Sequence, residues 1–255
     1  MICLLLIPNI YTQATSTESQ SFAKLGLSIS TSKTTFVPLE PIPIKFSLRN
    51  ETDKSISGHA SLRFVSNFVE IFLRSAGEPN VRKIDPLSRD RVRSIGRNTL
   101  IPPGAVIEHT ELMSIDLDKY FLNPGVYEMR ASFKNRGSSE KIQSDWVTIT
   151  ITEPQGIDRA ALEFLKTGPD LSNLYSGNNT EEQKDYLESF LANYAESSYS
   201  PYISLRLAGF YVWCGELDKA KPKLNKLKEL KNFARANEVD EYLKELERKS
   251  KLAQY

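Results

Sequence analysis

Three Ser-x-x-Lys pairs are the residues in this chain that come nearest to a catalytic arrangement. They lie at Ser21–Lys24, Ser30–Lys33 and Ser138–Lys141, and the triplet Lys166-Thr-Gly168 follows them. A lysine close to a serine could serve as the base that activates a serine nucleophile for acyl transfer. That chemistry also needs a Ser-Asp-Asn element between the pair and the triplet, and the chain has none there. We therefore interpret Gly168 as a helix terminator.

The histidines and acidic residues do not form a recognisable metal site. His59 and His109 are the only two histidines, and Ile107-Glu-His-Thr-Glu111 lacks the helical His-Glu-x-x-His spacing that binds zinc. Asp116-Leu-Asp118 lacks the glycine and the closing glutamate of a calcium loop. The sequence thus predicts no catalytic residue, no metal and no cofactor, and a protein that is not an enzyme.

Composition excludes several classes of partner. The 255 residues include 33 Lys and Arg against 32 Asp and Glu, a net charge of +1. So balanced a charge gives no long-range attraction to nucleic acid or to an anionic membrane. The chain also lacks an apolar run of the length that a transmembrane helix requires.

The N-terminus resembles a shortened signal peptide. Ile2–Ile7 is an apolar run, and Thr12 and Ala14 are small residues at the positions that a signal peptidase reads. No Lys or Arg precedes that run, so the alternative is a buried strand. We favour the signal peptide, with residues 1–21 as leader and polar connection. A periplasmic or secreted protein is then expected, with a cytoplasmic one as the alternative.

One stretch of the chain concentrates positive charge. The segment 82–97 carries six cations against two acids, in what should be a long connection between strands. Long loops on β scaffolds often bind partners, although a solvated loop is the simpler interpretation. The candidate partner-binding residues are Arg82, Lys83, Arg89, Arg91, Arg93 and Arg97.

Residues 22–153 are predicted to form an antiparallel β-sandwich. Apolar and polar residues alternate in about seven runs separated by turns such as Pro102-Pro-Gly104. The run Ile42–Arg49 shows the alternation most clearly, with Ile42, Ile44, Phe46 and Leu48 on one face.

A local motif indicates what kind of sandwich this is. Leu122-Asn-Pro-Gly-Val-Tyr127 resembles the tyrosine corner of immunoglobulin-like and fibronectin type III domains. The resemblance implies that the Tyr127 hydroxyl binds upstream backbone. Met129 stands where disulfide-bonded members have a cysteine, so no inter-sheet disulfide is expected. Residues 36–133 also resemble, loosely, bacterial sandwich domains of the intracellular-proteinase-inhibitor type.

Residues 157–252 are predicted to be helical, joined to the sandwich by Glu153-Pro-Gln-Gly156. Asp158 is expected to cap the first helix, and Thr180 is expected to cap the second in a capping box with Gln183. The next helix carries an apolar stripe that ends at Cys214, which we expect to be a buried thiol, and Gly215 should end it.

The third and fourth predicted helices are similar to one tetratricopeptide repeat. The residues that carry the likeness are large, small, aromatic and glycine positions at the repeat's spacing: Leu207, Ala208, Tyr211, Gly215, Leu217, Ala220 and Leu224. Leu227 and Pro222 depart from the repeat pattern. Fewer than three units are visible, so the helices should also pack on the sandwich or on a partner.

These observations predict an exported bacterial binding or scaffold protein that mediates protein interactions in the cell envelope. Both halves resemble recognition folds, and no catalytic constellation accompanies them. The alternative is a proteinase inhibitor, or an accessory module of an envelope hydrolase system. The groove of the helical half is the second candidate surface if the basic segment is inert.

Overall fold

A β-rich N-terminal region and a helical C-terminal region make up this computed structural model. It describes residues 25–59, 61–62, 68–84, 98–113, 123–134, 141–168, 180–231 and 233–252. The apolar run at 2–7, the expected cleavage site after Ala14 and the motif at 116–118 lie outside the described residues, as do the pairs at Ser21–Lys24 and Ser138.

Eleven strands are present in the described part of the β region. In chain order they are β1 Leu25–Thr31, β2 Thr35–Phe36, β3 Ile42–Asn50, β4 Ile56–His59, β5 Val69–Ser75, β6 Arg82–Ile84, β7 Asn98–Ile101, β8 Val106–Met113, β9 Gly125–Lys134, β10 Lys141–Gln143 and β11 Val147–Ile151. The predicted turn at 102–104 is confirmed, because the Ala105 amide donates to the Pro102 carbonyl and Gly104 has φ +71°.

These strands form one small antiparallel sheet, one larger mixed sheet and a two-stranded ribbon. The small sheet has the order β1-β3-β8, and the larger one the order β2-β11-β9-β5-β6, with β10 beside β9. The ribbon pairs β4 with β7. All pairings are antiparallel except that of β2 with β11.

One apolar core joins the three sheets. Alternation along each strand turns one set of side chains inward, and buried residues of all three sheets belong to a single cluster. In β3 the four residues assigned to one face by the sequence are fully buried. The domain therefore gains its stability from apolar packing between sheets.

Asn50 is a buried polar residue at the end of β3. Its side-chain amide donates to the carbonyls of Lys54, at 2.8 Å, and of Ile101, at 2.9 Å. Its carbonyl oxygen accepts from the amide and the hydroxyl of Thr52. These bonds fasten the ribbon end to the small sheet, and they satisfy a side chain that is 0 % exposed.

The predicted bond of the tyrosine corner is confirmed. The Tyr127 hydroxyl donates to the Asn123 carbonyl at 2.8 Å, four residues upstream. Burial raises the pKa of Tyr127 above its ordinary value. This bond fixes the start of β9, the strand to which β5, β10 and β11 all pair.

Five helices follow in the described C-terminal region. They are α1 Gly156–Lys166, α2 Glu181–Tyr194, α3 Ser200–Cys214, α4 Leu217–Lys228 and α5 Ala236–Leu252. They share a second apolar cluster, which includes Leu207, Ala208 and Ala220. Gly209 leaves room for α5 beside α3, because a Cβ there would lie 2.7 Å from the Tyr242 hydroxyl and that side chain would have to move. None of the described helices is both long and apolar enough to cross a lipid bilayer.

The ends of these helices test several expectations. Thr180 caps α2, since its hydroxyl accepts from the Gln183 amide at 3.2 Å. Gly215 ends α3 with φ +82°, as predicted. The expected cap at Asp158 is wrong. Gln155 is the N-cap of α1, and the Asp158 carboxylate accepts instead from the Ser198 amide and hydroxyl.

Cys214 is exposed, so the prediction of a buried thiol is wrong. Ile203, Leu207 and Phe210 of the same stripe are buried. Cys214 is the last residue of α3, directly before the left-handed Gly215, and the packing of α3 against its neighbours does not extend to it. An apolar stripe in the sequence does not show at which residue the neighbouring elements stop burying the helix.

The turn at 37–41 connects both sheets with the helices. It leaves β2 of the larger sheet and enters β3 of the small sheet, and between them Leu39 is buried in the helical cluster. Leu39 has φ +70°, a conformation that costs a residue with a side chain about 1–2 kcal/mol. Burial of the leucine side chain offsets that cost.

Polar groups complete the contact between the turn and the helices. The buried Tyr199 hydroxyl donates to the Pro38 carbonyl at 2.7 Å. Within the turn the Glu40 carboxylate, whose side chain is 4 % exposed, pairs with Lys33 at 2.6 Å and accepts from the Val37 amide. Burial raises the pKa of Glu40, and the bond and charge of Lys33 oppose that shift.

Replacement of Tyr127 by Phe is expected to lower the free energy of unfolding by about 1 kcal/mol, because one intramolecular hydrogen bond is lost. Urea denaturation followed by circular dichroism measures the change. Tyr194→Phe is the matched control. Its ring packs against Phe164 and Phe190, and it should change stability by less than about 0.5 kcal/mol. Equal stability of Tyr127→Phe and the wild type would show that the corner bond contributes nothing.

Glu40→Gln is expected to remove one pH-dependent contribution to stability. A carboxyl with a raised pKa in the folded state stabilises while protonated, and that stabilisation is lost as the pH rises through the folded pKa. Lys33 and Asp158 are the charged groups that act on it, one lowering and one raising its pKa. Denaturation at several pH values should show that the stability of the variant relative to the wild type increases as the pH rises above the ordinary pKa of a glutamate. A stability difference that does not change with pH would contradict the prediction.

Candidate functional site

The outward face of the larger sheet carries the densest set of aromatic and charged side chains that we found in the described residues. We call it the ladder face, and it comprises Glu70, Phe72, Arg74, Lys83, Glu128, Arg130, Lys141 and Trp146. Period-two alternation positions it: in β5 Val69, Ile71 and Leu73 are buried, so the residues between them point outward.

Register places these side chains in rows across the strands. Phe72 of β5 lies between Lys83 of β6 and Arg130 of β9. Arg74 lies opposite Glu128 in the neighbouring row. Directly opposed residues on one face of an antiparallel pair are close enough to interact, so strand pairing alone assembles most of the surface.

A break in the partner strand of β9 brings Trp146 to this face. β10 and β11 both pair with β9, and residues 144–146 interrupt them. At the break the Ser144 amide donates to the Ala131 carbonyl at 3.0 Å, and the Ser144 hydroxyl accepts from the Ala131 amide at 2.9 Å. The serine side chain thus replaces a backbone acceptor, and the irregularity redirects the residues that follow, as a β-bulge does.

Trp146 is in contact with two arginines. The guanidinium carbons of Arg74 and Arg130 lie 4.2 Å and 4.6 Å from its ring centroid. The Arg130 guanidinium also lies 5.8 Å from the centroid of Phe72. Each cation–π contact at a partly exposed site contributes about 0.5–1 kcal/mol, so the stack orders three long side chains before any partner arrives.

Most charges of the ladder face are paired within it. Glu70 accepts from Lys83 and from Lys141, both at 2.9 Å, and Arg74 pairs with Glu128 at 2.7 Å. The hydrogen bonds from the two lysines hold the pKa of Glu70 below its ordinary value. These pairs fix the positions of the charges, and partly exposed pairs add little stability of their own.

Arg130 differs from its neighbours. Its Nε is buried and has no hydrogen-bond partner in the described part of the chain. Within that part, the carboxylates of Glu70 and Glu128 are engaged by the two lysines and by Arg74. The guanidinium therefore lies against the rings of Phe72 and Trp146, and it forms no ion pair with a described carboxylate.

Two of the six predicted partner-binding residues lie within the described part of the chain. Arg82 and Lys83 lie on β6, at one end of the strand order of the larger sheet, and Lys83 belongs to the ladder face. Arg89, Arg91, Arg93 and Arg97 lie outside the described residues. Sequence reasoning did not select Arg74, Arg130 or Trp146 as site residues. The alternation of β5 and β9 predicts that the two arginines face outward, but the break that directs Trp146 has no clear sequence signal.

The histidines and acidic residues considered as metal ligands do not form a site among the described residues. His109 is on β8, as expected of a strand histidine, and its Nε2 lies 2.8 Å from a Glu111 oxygen. Across the residues with described positions, no three His, Cys, Asp or Glu side chains are grouped so that they could hold a metal ion.

A groove between α4 and α5 is the second candidate surface. It has a volume of about 800 Å³ and is lined by Lys221, Lys228, Lys244 and Lys251, with Asp240 and Glu247 among them. Lys228 pairs with Asp240 at 3.2 Å. The groove is open and has no ordered stack like that of Trp146, so we rank it below the ladder face.

No known protein family and no curated protein matches the chain. The sporulation control protein Spo0M of Bacillus subtilis is 12 % identical with a TM-score of 0.33, over 56 % of this chain and 55 % of that one. The alkylpurine DNA glycosylase AlkC of Pseudomonas fluorescens is also 12 % identical with a TM-score of 0.33, over 51 % of this chain and 31 % of that one. The β-glucosidase EmGH1 of Erythrobacter marinus is 16 % identical with a TM-score of 0.30, over 50 % of this chain and 15 % of that one. The chain thus spans less than two thirds of each, and similarities this distant carry no functional argument.

Trp146→Leu is expected to lower the free energy of unfolding by about 1–2 kcal/mol, because two cation–π contacts are lost. Trp213→Leu is the matched control. Trp213 is 64 % exposed, so its replacement should change stability by less than about 0.5 kcal/mol. Thermal or urea unfolding of both variants makes the comparison. Equal effects of the two substitutions would show that the arginine stack does not stabilise the sheet.

Proposed function

We propose that this protein is a non-catalytic binding protein, which engages a protein partner through the ladder face and the adjoining edge strand β6. The observation that carries the proposal is the contact of Trp146 with both Arg74 and Arg130 on a partly exposed sheet face. Tryptophan and arginine are enriched among the residues that dominate binding energy at protein interfaces.

Preorganisation supports this assignment. Ordering a long side chain on association costs about 0.5–1.5 kcal/mol, and here stacking and ion pairs have already ordered those that would meet a partner. Arg82 and Lys83 extend the positive charge to the edge of the sheet, where the segment 82–97 begins. Charge of this kind accelerates encounter with an acidic protein surface and makes it dependent on salt.

We further propose an immunoglobulin-like sandwich for residues 22–153 and a tetratricopeptide-like hairpin within 157–252. The single core shared by the sheets and the Tyr127 bond support the first assignment. The burial of Leu207, Ala208, Tyr211, Ala220 and Leu224 supports the second. Both folds serve mainly as recognition scaffolds, which agrees with a binding role.

The compartment we propose is the bacterial periplasm or the exterior, where such a protein would join components of the cell envelope. The argument is the sequence of residues 1–14 and the lone cysteine that remains after their removal. A protein without disulfides suits the bacterial envelope better than an animal extracellular space.

Charge reversal of Arg89, Arg91 and Arg93 to Glu is expected to abolish capture of the partner at low salt and to leave the melting temperature nearly unchanged. The control reverses Lys221, Lys226 and Lys231, three exposed lysines of the helical region, which changes the net charge equally. Affinity capture from a native envelope extract, followed by mass spectrometry, compares both variants with the wild type.

The outcomes separate the alternatives. Normal capture by the arginine variant together with loss in the lysine variant would move the site to the helical region, where Lys221 lines the α4–α5 groove. A protease as the dominant captured protein would favour the inhibitor function. Unfolding of the arginine variant would show that these arginines are structural parts of the sheet region.

A further inference from the structure

We infer that Arg130 is the anchor of the ladder face and receives a single carboxylate from an acidic segment of the protein partner. The inference rests on the proposed binding function and names the chemistry that the partner must present. A guanidinium has a planar fork of N–H donors that matches the two oxygens of a carboxylate.

The aromatic neighbours of Arg130 define how a ligand can approach. Trp146 and Phe72 lie 4.6 Å and 5.8 Å from the guanidinium carbon, measured to their ring centroids. Ring stacking uses the faces of a guanidinium and leaves N–H groups at its edge for hydrogen bonding. Because Nε is buried, the terminal nitrogens are the donors that a ligand can reach.

The neighbouring carboxylates form ion pairs with other residues of the ladder face. Glu128 is held by Arg74, and Glu70 is held by Lys83 and Lys141. An external carboxylate would thus pair with the terminal N–H groups of Arg130, while Nε remains buried. A partly desolvated cation gains more from such a charge-assisted bond than a fully exposed one does.

The mixed charge of the face favours one carboxylate over a polyanion. Glu70 and Glu128 flank Arg130 through the register of β5 and β9, and both would repel a phosphate polymer or an anionic membrane. Phe72 and Trp146 offer apolar surface beside the anchor. We therefore expect a protein segment in which a Glu or Asp is flanked by apolar residues.

Two peptides that differ in one group test the anchor. Acetyl-Gly-Leu-Glu-Leu-Gly-amide and its Gln counterpart are titrated into ¹⁵N-labelled full-length protein at low salt. The side-chain Nε–H of Arg130 and the indole N–H of Trp146 are followed by NMR. The Glu peptide should shift both resonances saturably, with a Kd in the millimolar range expected of one charge-assisted contact. The Gln peptide should have no effect, and an equal response to both peptides would overturn the inference.

Variants distinguish the guanidinium from charge in general. Arg130→Gln should lose the Trp146 response, and Arg130→Lys should weaken it about tenfold, because the bidentate fork is gone. Arg49→Gln is the matched control, since it removes an exposed arginine from the small sheet. Full binding by Arg130→Gln or Arg130→Lys would overturn the inference. If Arg130→Gln does not fold, the response of the wild-type Arg130 resonance to the Glu and Gln peptides still tests the inference.

Two further measurements, a titration with inorganic phosphate and capture of a native partner, distinguish failure of the anchor from failure of the proposed function. Inorganic phosphate that shifts Arg130 as strongly as the Glu peptide would overturn the preference for a protein carboxylate. Capture of a native partner equally by wild type, Arg49→Gln and Arg130→Gln would leave the binding function standing and remove the anchor. Peptide binding that depends on Arg130, without a captured partner, would retain the anchor and reject the proposed function.

Discussion

The segment from Phe36 to Ile42 is the constraint on which the rest of the molecule depends. Phe36 pairs with β11 in the larger sheet, Ile42 begins β3 of the small sheet, and Leu39 between them is buried in the helical core. Seven residues therefore connect both sheets and the helices. This short path contains the left-handed backbone of Leu39 and accepts the hydrogen bond from Tyr199 at Pro38.

The arrangement of the ladder face depends on one local irregularity in the strands that pair with β9. Regular strand pairing would supply two arginines and a phenylalanine in rows, with their charges paired or exposed to water. The irregularity at Ser144 adds one tryptophan, which converts separate side chains into an ordered stack. A surface that is ordered before binding loses less conformational entropy when a partner docks.

Sequence reasoning succeeded where a short-range pattern determines the structure. The alternation of β3, the turn at 102–104, the Tyr127 bond and the glycine end of α3 each follow from a few adjacent residues. It failed where distant residues compete. Asp158 suits a helix cap, but Ser198 offers its carboxylate better partners, and Cys214 extends beyond the cover of α3. Trp146 could not be placed, because its position depends on a side chain that replaces a backbone acceptor.

The burial of Asn50 has a consequence for covalent modification. Asn50-Glu-Thr52 matches the triplet at which oligosaccharides are attached to asparagine. In the folded protein both groups of that amide are occupied, and the residue is 0 % exposed. A sugar attached there before folding would keep the side chain out of the ribbon end and break its bonds to Lys54 and Ile101. The triplet is thus a structural element, and glycosylation at Asn50 is incompatible with the native fold.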